Sequence, residues 1–269
     1  MPEGPEIRRA ADQLASAVVG QPLTSAWFAF PALTKHARTL KGRTITAIVP
    51  HGKALLTHFD HGWTLYSHNQ LYGVWQVADA GERPETTRSL RVALETASRA
   101  ILLYSASDVS MWRTEDLPKH PFLARLGPDV LDPALDAGTV AARLDDPRFR
   151  GRALSALLLD QAFLAGMGNY LRSEVLFEAR LRPALRPADL TAAQRRTLAK
   201  HLLEVPRRSY ATRGIEAAEG MRADYTARRG AFRFRVFDRE GQRCEDCGAT
   251  IVREEHGTRR LYLCPRCQP

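Results

Sequence analysis

The chain has 269 residues, 44% of them hydrophobic and 26% charged, which is the composition of a globular protein long enough for two domains. No apolar run approaches the ~20 residues that cross a bilayer, and Pro2, Glu3 and Glu6 interrupt any secretory signal pattern. We therefore expect a cytoplasmic protein with no membrane partner. The formal net charge is +9, and residues 148–213 hold 13 basic but only 5 acidic side chains. Such a segment indicates a polyanionic partner such as DNA or RNA, although a solvated arginine-rich surface would have the same composition.

The first six residues are Met1-Pro2-Glu3-Gly4-Pro5-Glu6. An initiator methionine before proline is normally removed, which would leave Pro2 as a terminal secondary amine beside a carboxylate. Terminal amines titrate near pH ~8, so roughly a tenth is unprotonated at neutral pH and can attack a sugar carbon to form an iminium. An ordinary chain start would look the same. From Pro5 to Val19 the spacing of apolar residues predicts a helix, with Gly20 as its stop.

From about residue 23 to residue 104 the pattern predicts short strands, and six of them at this spacing favour a β-sandwich. Lys53 lies beside Gly52 between the first two strands, where a lysine is usually only a solvated charge. The predicted strands are Ile45–Val49, Ala54–Phe59, Trp63–Ser67, Leu71–Val77, Leu90–Thr96 and Ala100–Tyr104.

The second half of the chain predicts helices inside the basic segment. Two of them flank the turn Gly166-Met167-Gly168-Asn169, and such a pair can bind a phosphate backbone through amides at a helix start and through Asn169. A plain helical hairpin would have the same spacing. The predicted elements are a connector over 105–150, helices over Thr139–Asp145, Arg152–Ala165, from Tyr170 and over Thr191–Glu204, a mobile loop over Arg213–Gly230, and a strand over Phe232–Val236.

All four cysteines lie in the last 26 residues with the spacing C-x2-C-x16-C-x2-C. This spacing is typical of a closed four-thiolate zinc site, which holds a fold and performs no chemistry. A disulfide framework is the alternative, and the lack of a secretory signal disfavours it. We expect one structural Zn²⁺ bound by Cys244, Cys247, Cys264 and Cys267, and no organic cofactor.

Taken together, these features resemble the formamidopyrimidine-DNA glycosylase and endonuclease VIII family of base-excision repair enzymes over essentially the whole chain. The stretches that are similar to the endonuclease VIII branch are MPEGPEIRRAADQL, GKALLTHF, LYSHNQLYGVW, HPFLARLGPDVLDP and LLLDQAFLAGMGNYLR. The resemblance implies an α+β chain with three parts. These are an N-terminal helix plus β-sandwich domain (1–125), a helical domain with a helix–two-turn–helix motif (126–230), and a C-terminal zinc finger (235–269).

The resemblance also implies roles for individual residues. Pro2 would attack C1′ of the damaged nucleotide, and Glu3 would protonate the ring oxygen of the sugar. Lys53 would assist β-elimination of the 3′ phosphate, and Arg259 would act in δ-elimination on the 5′ side. Arg260 follows directly, where a proline is usual, so either arginine could act there.

Further positions match residues that contact DNA or lie near the lesion. Gln70, Arg125 and Asn169 match DNA contacts, and Gln70-Leu71-Tyr72 at a strand start suits a wedge that fills the hole left by an extruded base. Ordinary sheet packing is the alternative for Leu71 and Tyr72. Two further acidic residues match positions near the lesion, Glu6 and Glu174. The stretch from Ile215 to Arg229 has no recognisable match.

The expected function is a bifunctional DNA glycosylase and abasic-site lyase that acts on oxidised pyrimidines in double-stranded DNA. The protein would be a monomer associated with the nucleoid. Two alternatives stay open at this point. One is a glycosylase for oxidised purines, and the other is a non-catalytic zinc protein that only binds DNA.

Overall fold

A computed structural model describes residues 2–212 and 232–269, whose contacts divide them into two compact units. The first unit holds Pro2 and Glu6–Ala124, and the second holds Glu3–Pro5 with the chain from Arg125 onward. Within the described residues, no helix is long and apolar enough to cross a membrane.

The first unit is a β-sandwich with one helix packed into its core. Helix α1 (Gly4–Val18) buries one apolar stripe made of Ile7, Ala11, Leu14 and Val18, as its 3.6-residue period predicts. Two antiparallel four-stranded sheets, in the orders β1-β6-β7-β5 and β2-β3-β4-β8, share the core with this stripe. The strands are β1 (Ser25–Phe28), β2 (Ile45–His51), β3 (Ala54–Phe59), β4 (Trp63–His68), β5 (Val74–Asp79), β6 (Leu90–Glu95), β7 (Arg99–Tyr104) and β8 (Asp108–Arg113).

Three elements of this unit were not predicted from the sequence. Strand β1 has four residues and buries only Phe28, and β8 is half-buried along most of its length, so neither shows a clear alternation. Both are edge strands of their sheets. The third element is helix α2 (Thr34–Leu40), which is too short to show a helical period and buries only Leu40. The six strands that were predicted are all present.

The second unit is helical, with a small zinc module at its end. Its helices are α3 (Ala137–Asp145), α4 (Leu154–Leu157), α5 (Asn169–Glu178) and α6 (Ala192–Ala211). The predicted helix over Arg152–Ala165 is wrong beyond Leu157. The Asp160 carboxylate accepts a hydrogen bond from the backbone N–H of Ala162, and the Arg143 guanidinium binds the carbonyls of Ala162 and Phe163. These side chains take the backbone groups that a continued helix would need.

The predicted strand over Phe232–Val236 is also wrong, although Phe232, Phe234 and Val236 are buried in alternation as expected. No strand pairs with this segment in the described part of the chain, because the backbone N–H groups at its end bind the Glu174 carboxylate instead. The antiparallel pair β9 (Val252–His256) and β10 (Arg259–Leu263) follows in the zinc module. The loop predicted over Arg213–Gly230 lies outside the described residues.

Candidate active site

Glu3 is held at the start of helix α5 in the second unit. Its side chain is only 3% exposed. Its Oε1 accepts the backbone N–H of Tyr170 at 2.9 Å, and its Oε2 accepts that of Leu171 at 3.3 Å. The first N–H groups of a helix have no partner within the helix, and the positive end of the helix dipole favours an anion there. The carboxylate is therefore fixed in position by the backbone of α5. Pro2, directly before it in the chain, is half-buried.

The glycine-rich turn before α5 receives this N-terminal segment. The backbone N–H of Gly4 donates to the carbonyl of Gly166 at 2.8 Å. A Cβ on Gly168 would lie 2.1 Å from the Cδ of Glu3, closer than any non-bonded carbon can approach. Gly166 has a φ of +93°, which side chains disfavour. The sequence predicted a phosphate-binding role for this turn, and the structure adds that its glycines make room for Glu3.

Arg172 connects the residues around Glu3, and sequence reasoning missed it. Its side chain is fully buried, and its guanidinium donates to Asn169 Oδ1 at 2.7 Å and to the carbonyls of Ser155 and Arg260. Burial lowers the pKa of Arg172 to about 10; the Glu3 carboxylate raises this pKa and the charge of Arg259 lowers it. Arg172 therefore ties α5 to α4 and to β10. The signal that could have found it is its position three residues after Asn169, which places the two side chains on one face of a helix.

The two adjacent arginines of β10 differ in their surroundings. Both are exposed, and neighbouring residues of a strand point to opposite faces. Arg260 lies across from Glu255, and its Nε is 3.9 Å from the Glu255 carboxylate. Arg259, in contrast, lies close enough to Arg172 for its charge to act on that guanidinium. Arg172 therefore interacts with both arginines of β10, through the backbone carbonyl of Arg260 and through the charge of Arg259.

Glu174 has a structural position. Its side chain is fully buried and accepts backbone N–H groups from Arg235 at 2.8 Å, Val236 at 3.0 Å and Phe237 at 2.8 Å. Burial raises its pKa, and these hydrogen bonds oppose the rise. In this structure the carboxylate is occupied by the backbone of its own chain. It anchors the chain immediately after the stretch 213–231.

Three other residues that the sequence predicted for the site lie at the ends of helical segments. Asn169 is half-buried, at the first position of α5, and Arg125 is exposed at the end of a 3-10 turn (Leu123–Arg125). Glu6, in the first unit, forms an ion pair with Arg9 at 2.9 Å in the first turn of α1.

In the first unit, Lys53 lies in the hairpin between β2 and β3 and is half-buried. Its charge reaches His68 at the end of β4. Burial is the main cause of the lowered pKa of His68; Asp108 opposes the shift and Lys53 adds to it. The Nδ1 of His68 accepts the backbone N–H of Gln70 at 2.9 Å, which requires a neutral ring. His68 therefore binds the backbone of the segment 70–72, and its pKa responds to the charge of Lys53.

The loop between β4 and β5 contains Gln70, Leu71 and Tyr72. The prediction that they begin a strand is therefore wrong, because β5 starts at Val74. Gln70 has a φ of +51°, and the backbone N–H of Gly73 donates to the carbonyl of Asn69 at 2.7 Å, which closes the loop tightly. Leu71 is 54% exposed and Tyr72 is 67% exposed. The alternative of ordinary sheet packing is therefore excluded, because both side chains project from the sheet.

The four cysteines come together as the spacing predicts. Their sulfur atoms all lie within 4.8 Å of one another, and the pairs Cys247–Cys264 and Cys244–Cys267 are separated by 3.4 Å and 3.8 Å. A tetrahedral Zn²⁺ with Zn–S bonds of about 2.3 Å needs sulfur separations of roughly 3.8 Å. The residues fit one structural zinc ion, which would hold the turn preceding β9 and the chain following β10.

Comparison with known proteins assigns most of the chain to three family domains. Residues 1–107 match the formamidopyrimidine-DNA glycosylase N-terminal domain, residues 126–219 match the H2TH domain of the same enzyme, and residues 241–269 match a zinc finger found in FPG and IleRS.

Full-length relatives and solved structures agree with this assignment. The chain is 57% identical to the Endonuclease 8 of Enterobacter sp. (strain 638) and 56% identical to that of Shigella flexneri serotype 5b, with 100% of each chain covered. It shares the fold of the Lactococcus lactis Fpg (MutM) in complex with a DNA containing N7-benzyl-Fapy-dG. That structure is 21% identical, covers 99% of both chains and superimposes with a TM-score of 0.83. The chain belongs to the endonuclease VIII branch of the formamidopyrimidine-DNA glycosylase family.

Proposed function

We propose that this protein is a bifunctional DNA glycosylase and abasic-site lyase of base-excision repair, with oxidised pyrimidines in double-stranded DNA as its lesions. The full-length identity to proteins named Endonuclease 8 supports the enzyme class. The observation that carries the mechanism is the Glu3 carboxylate. It is fixed at the start of α5 by two backbone N–H groups, directly after the proposed nucleophile in the chain.

The first step is proton transfer between neighbours. Once Met1 is removed, the Pro2 amine must lose a proton before it can attack C1′ of the damaged nucleotide. Glu3 can take up this proton and deliver it to the ring oxygen of the sugar, which opens the ring. The bond between Pro2 nitrogen and C1′ forms as the bond to the base breaks, and the base leaves with the electron pair. The attached nitrogen then releases its one remaining proton, which neutralises the departing base, and its lone pair expels the protonated ring oxygen from C1′. The product is an iminium, which has no N–H to lose because proline is a secondary amine.

Strand cleavage follows from this iminium. It withdraws electrons, so a proton on C2′ can be removed and the 3′ phosphate leaves by β-elimination, after which the 5′ phosphate leaves by δ-elimination. Lys53 is the proposed aid to the first departure and Arg259 to the second. The Glu255 carboxylate beside Arg260 favours Arg259, because it neutralises part of the charge of Arg260. Asn169 and Arg125 are the proposed phosphate contacts.

Base extrusion leaves a gap in the stack at a cost of a few kcal/mol, and the exposed loop 70–72 is the proposed filler. An apolar and an aromatic side chain that are both more than half exposed suit this role. Glu174, instead of touching the lesion, would position the chain after residue 231. Glu6 would act on the nucleophile only through the first turn of α1. We propose a monomer that resides on the nucleoid.

Borohydride trapping tests the proposal. The protein, with loss of Met1 verified by intact mass, is mixed with duplexes that carry an oxidised pyrimidine, an oxidised purine or an abasic site. A covalent adduct with the pyrimidine duplex at the highest rate is expected. A preference for the purine duplex would assign the other lesion class. No adduct with any duplex, together with tight binding, would identify a non-catalytic binding protein.

A further inference from the structure

The first unit carries a second group of cations, which the proposed function does not use. We call it the basic groove. It is a shallow depression of about 710 Å³ lined by Lys35, Arg38, Lys41, Arg43 and Trp63, together with His36 and His61. All four of these lysines and arginines are exposed, and they fall within nine residues of the chain. The nearly neutral charge of residues 1–147 as a whole conceals this local excess.

The cations of the groove lack the acidic partners that other cations of this unit have. Arg83 pairs with Glu95, Arg99 pairs with Asp79, and Lys119 pairs with Asp116. Within the described residues, by contrast, neither Lys35, Arg38, Lys41 nor Arg43 forms an ion pair. The carboxylate of Asp60 lies beside the groove, where its Oδ1 is 3.7 Å from Nδ1 of His61 and its Oδ2 accepts the backbone N–H of Thr44 at 3.0 Å.

The positive field of the groove acts on the histidines that lie within it. Burial is the main cause of the lowered pKa of His36, and Lys35 adds to it; burial and then Arg43 lower the pKa of His61, which Asp60 opposes. The two histidines therefore favour the neutral form, and the permanent positive charges of the groove are those of its four lysines and arginines. A phosphate backbone in the groove would lie beside these four charges.

The groove lies at the end of the sandwich opposite to the catalytic hairpin. His61 is in the turn after β3, whereas Lys53 precedes β3, and a six-residue strand spans about 20 Å. Arg43 is likewise beside the chain that follows α1, since the backbone N–H of Leu23 donates to its carbonyl at 2.8 Å. Pro2 precedes the other end of this 15-residue helix, which is about 22 Å long. The groove is therefore separate from the lesion site.

We infer that the basic groove binds the phosphate backbone of a second DNA segment while the lesion duplex occupies the site of Pro2 and Lys53. This rests on the proposed function only in that DNA is the partner. A phosphate backbone needs cations alone, whereas a protein partner needs a buried apolar anchor. Trp63, the one aromatic side chain that could serve as such an anchor in the groove, is flanked by His36 at 5.1 Å and by the Arg113 guanidinium at 5.2 Å.

Trapped enzyme gives a direct test. Protein covalently attached to a short lesion duplex by borohydride has its first site occupied, and binding of a second, undamaged fluorescent duplex is then measured between 50 and 200 mM salt. If three phosphates are neutralised, the affinity should fall by roughly 40-fold over this range. The variant Lys35→Gln/Arg38→Gln/Lys41→Gln should lose most of this binding but cleave the short lesion duplex at the wild-type rate.

The matched control is Arg83→Gln/Arg99→Gln/Lys119→Gln, which removes the same charge from cations that already have partners in the same unit. It should keep the second binding event. Equal weakening in both triple variants, or no second binding by trapped wild type, overturns the inference. So does polyglutamate that displaces the second duplex at equal charge concentration, because it would indicate an acidic protein. If no adduct forms, the proposed chemistry is wrong. Binding of undamaged duplex by the two triple variants without trapping then still decides whether the groove binds DNA.

Discussion

The substitution Gly168→Ala examines the Glu3 site without altering a charged group. Gly168 has a φ of −144°, an extended conformation that alanine adopts freely, so backbone strain does not contribute. The new Cβ would lie 2.1 Å from the Cδ of Glu3, whereas non-bonded carbons stay about 3.5 Å apart. The carboxylate must therefore move by roughly 1.4 Å. Its own backbone cannot follow easily, because the next residue, Gly4, is hydrogen-bonded to Gly166.

This displacement should reduce the rate more than the affinity. A misplacement of about 1 Å in a catalytic group costs on the order of 10²-fold in rate. The two N–H···O bonds to a buried carboxylate contribute about 1.5–3 kcal/mol each, so the free energy of unfolding should fall by about 3 kcal/mol. Single-turnover trapping on an abasic-site duplex measures the rate, and denaturant unfolding measures the stability. Binding of an uncleavable abasic analogue should change by less than tenfold.

Two companion variants complete the experiment. Gly151→Ala is the control, because a Cβ there meets no atom within 4 Å, and it should behave as wild type. Glu3→Gln keeps the shape of the side chain but cannot carry the proton, so it should lose at least 10²-fold in rate with little loss of DNA affinity. A Gly168→Ala protein with wild-type rate and stability would refute the close fit. A Glu3→Gln protein with full rate would refute the proton transfer.

Three further substitutions test the surrounding contacts. Leu71→Ala should change the free energy of unfolding by less than about 0.5 kcal/mol, because the residue is 54% exposed, and it should slow excision of a lesion from duplex DNA. The control Val49→Ala, at a residue that is 38% exposed, should change neither the stability nor the excision rate. Arg172→Lys keeps the charge but loses the planar guanidinium that binds the carbonyl of Arg260. DNA affinity and the share of δ-elimination product on a gel should both fall, with zinc content unchanged. An unchanged product ratio would contradict the role of this hydrogen bond to β10. The pKa of His68 in the folded protein lies below 6.5, so the stability that its neutral ring contributes is lost as pH falls through the folded pKa. The free energy of unfolding of His68→Asn should therefore fall less in acid than that of wild type. Unfolding curves that stay parallel below pH 6.5 would refute this role.

The sequence predicted the elements that have a clear period or a continuous apolar run, and it missed those that have neither. Helix α1 buries one face at the helical period, strands such as β3, β4 and β7 are almost continuously buried, and the cysteine spacing led directly to a zinc site. Short or half-exposed elements such as β1 and β8 leave no such pattern. The predicted helix over 152–165 is wrong beyond Leu157, because the sequence there is as apolar as that of a helix. The hydrogen bonds of Asp160 and Arg143 that hold the turn do not show in the sequence.

The candidate site shows the same division. Residues with unusual chemistry, such as Pro2 and the cysteines, stood out in the sequence. Arg172 did not, because only the fold places an arginine where it is fully buried between α5 and β10. Glu174 was placed near the lesion by the family resemblance alone, with no physical argument from the sequence. The structure uses it on three backbone N–H groups of its own chain.

The division of the first residues between the two units limits how this protein can be rearranged. Pro2 belongs with the sandwich, but Glu3, Gly4 and Pro5 belong with the helical unit, and the chain returns to the sandwich at Glu6. A hybrid that joined the first 124 residues of one relative to the remainder of another would exchange the pocket that cradles Glu3 while keeping Glu3 itself. Functional chimeras should therefore need the opening segment and the Gly166–Asn169 turn to come from the same parent, and recombination at the apparent domain boundary should yield inactive proteins more often than the sequence identity of the parents suggests.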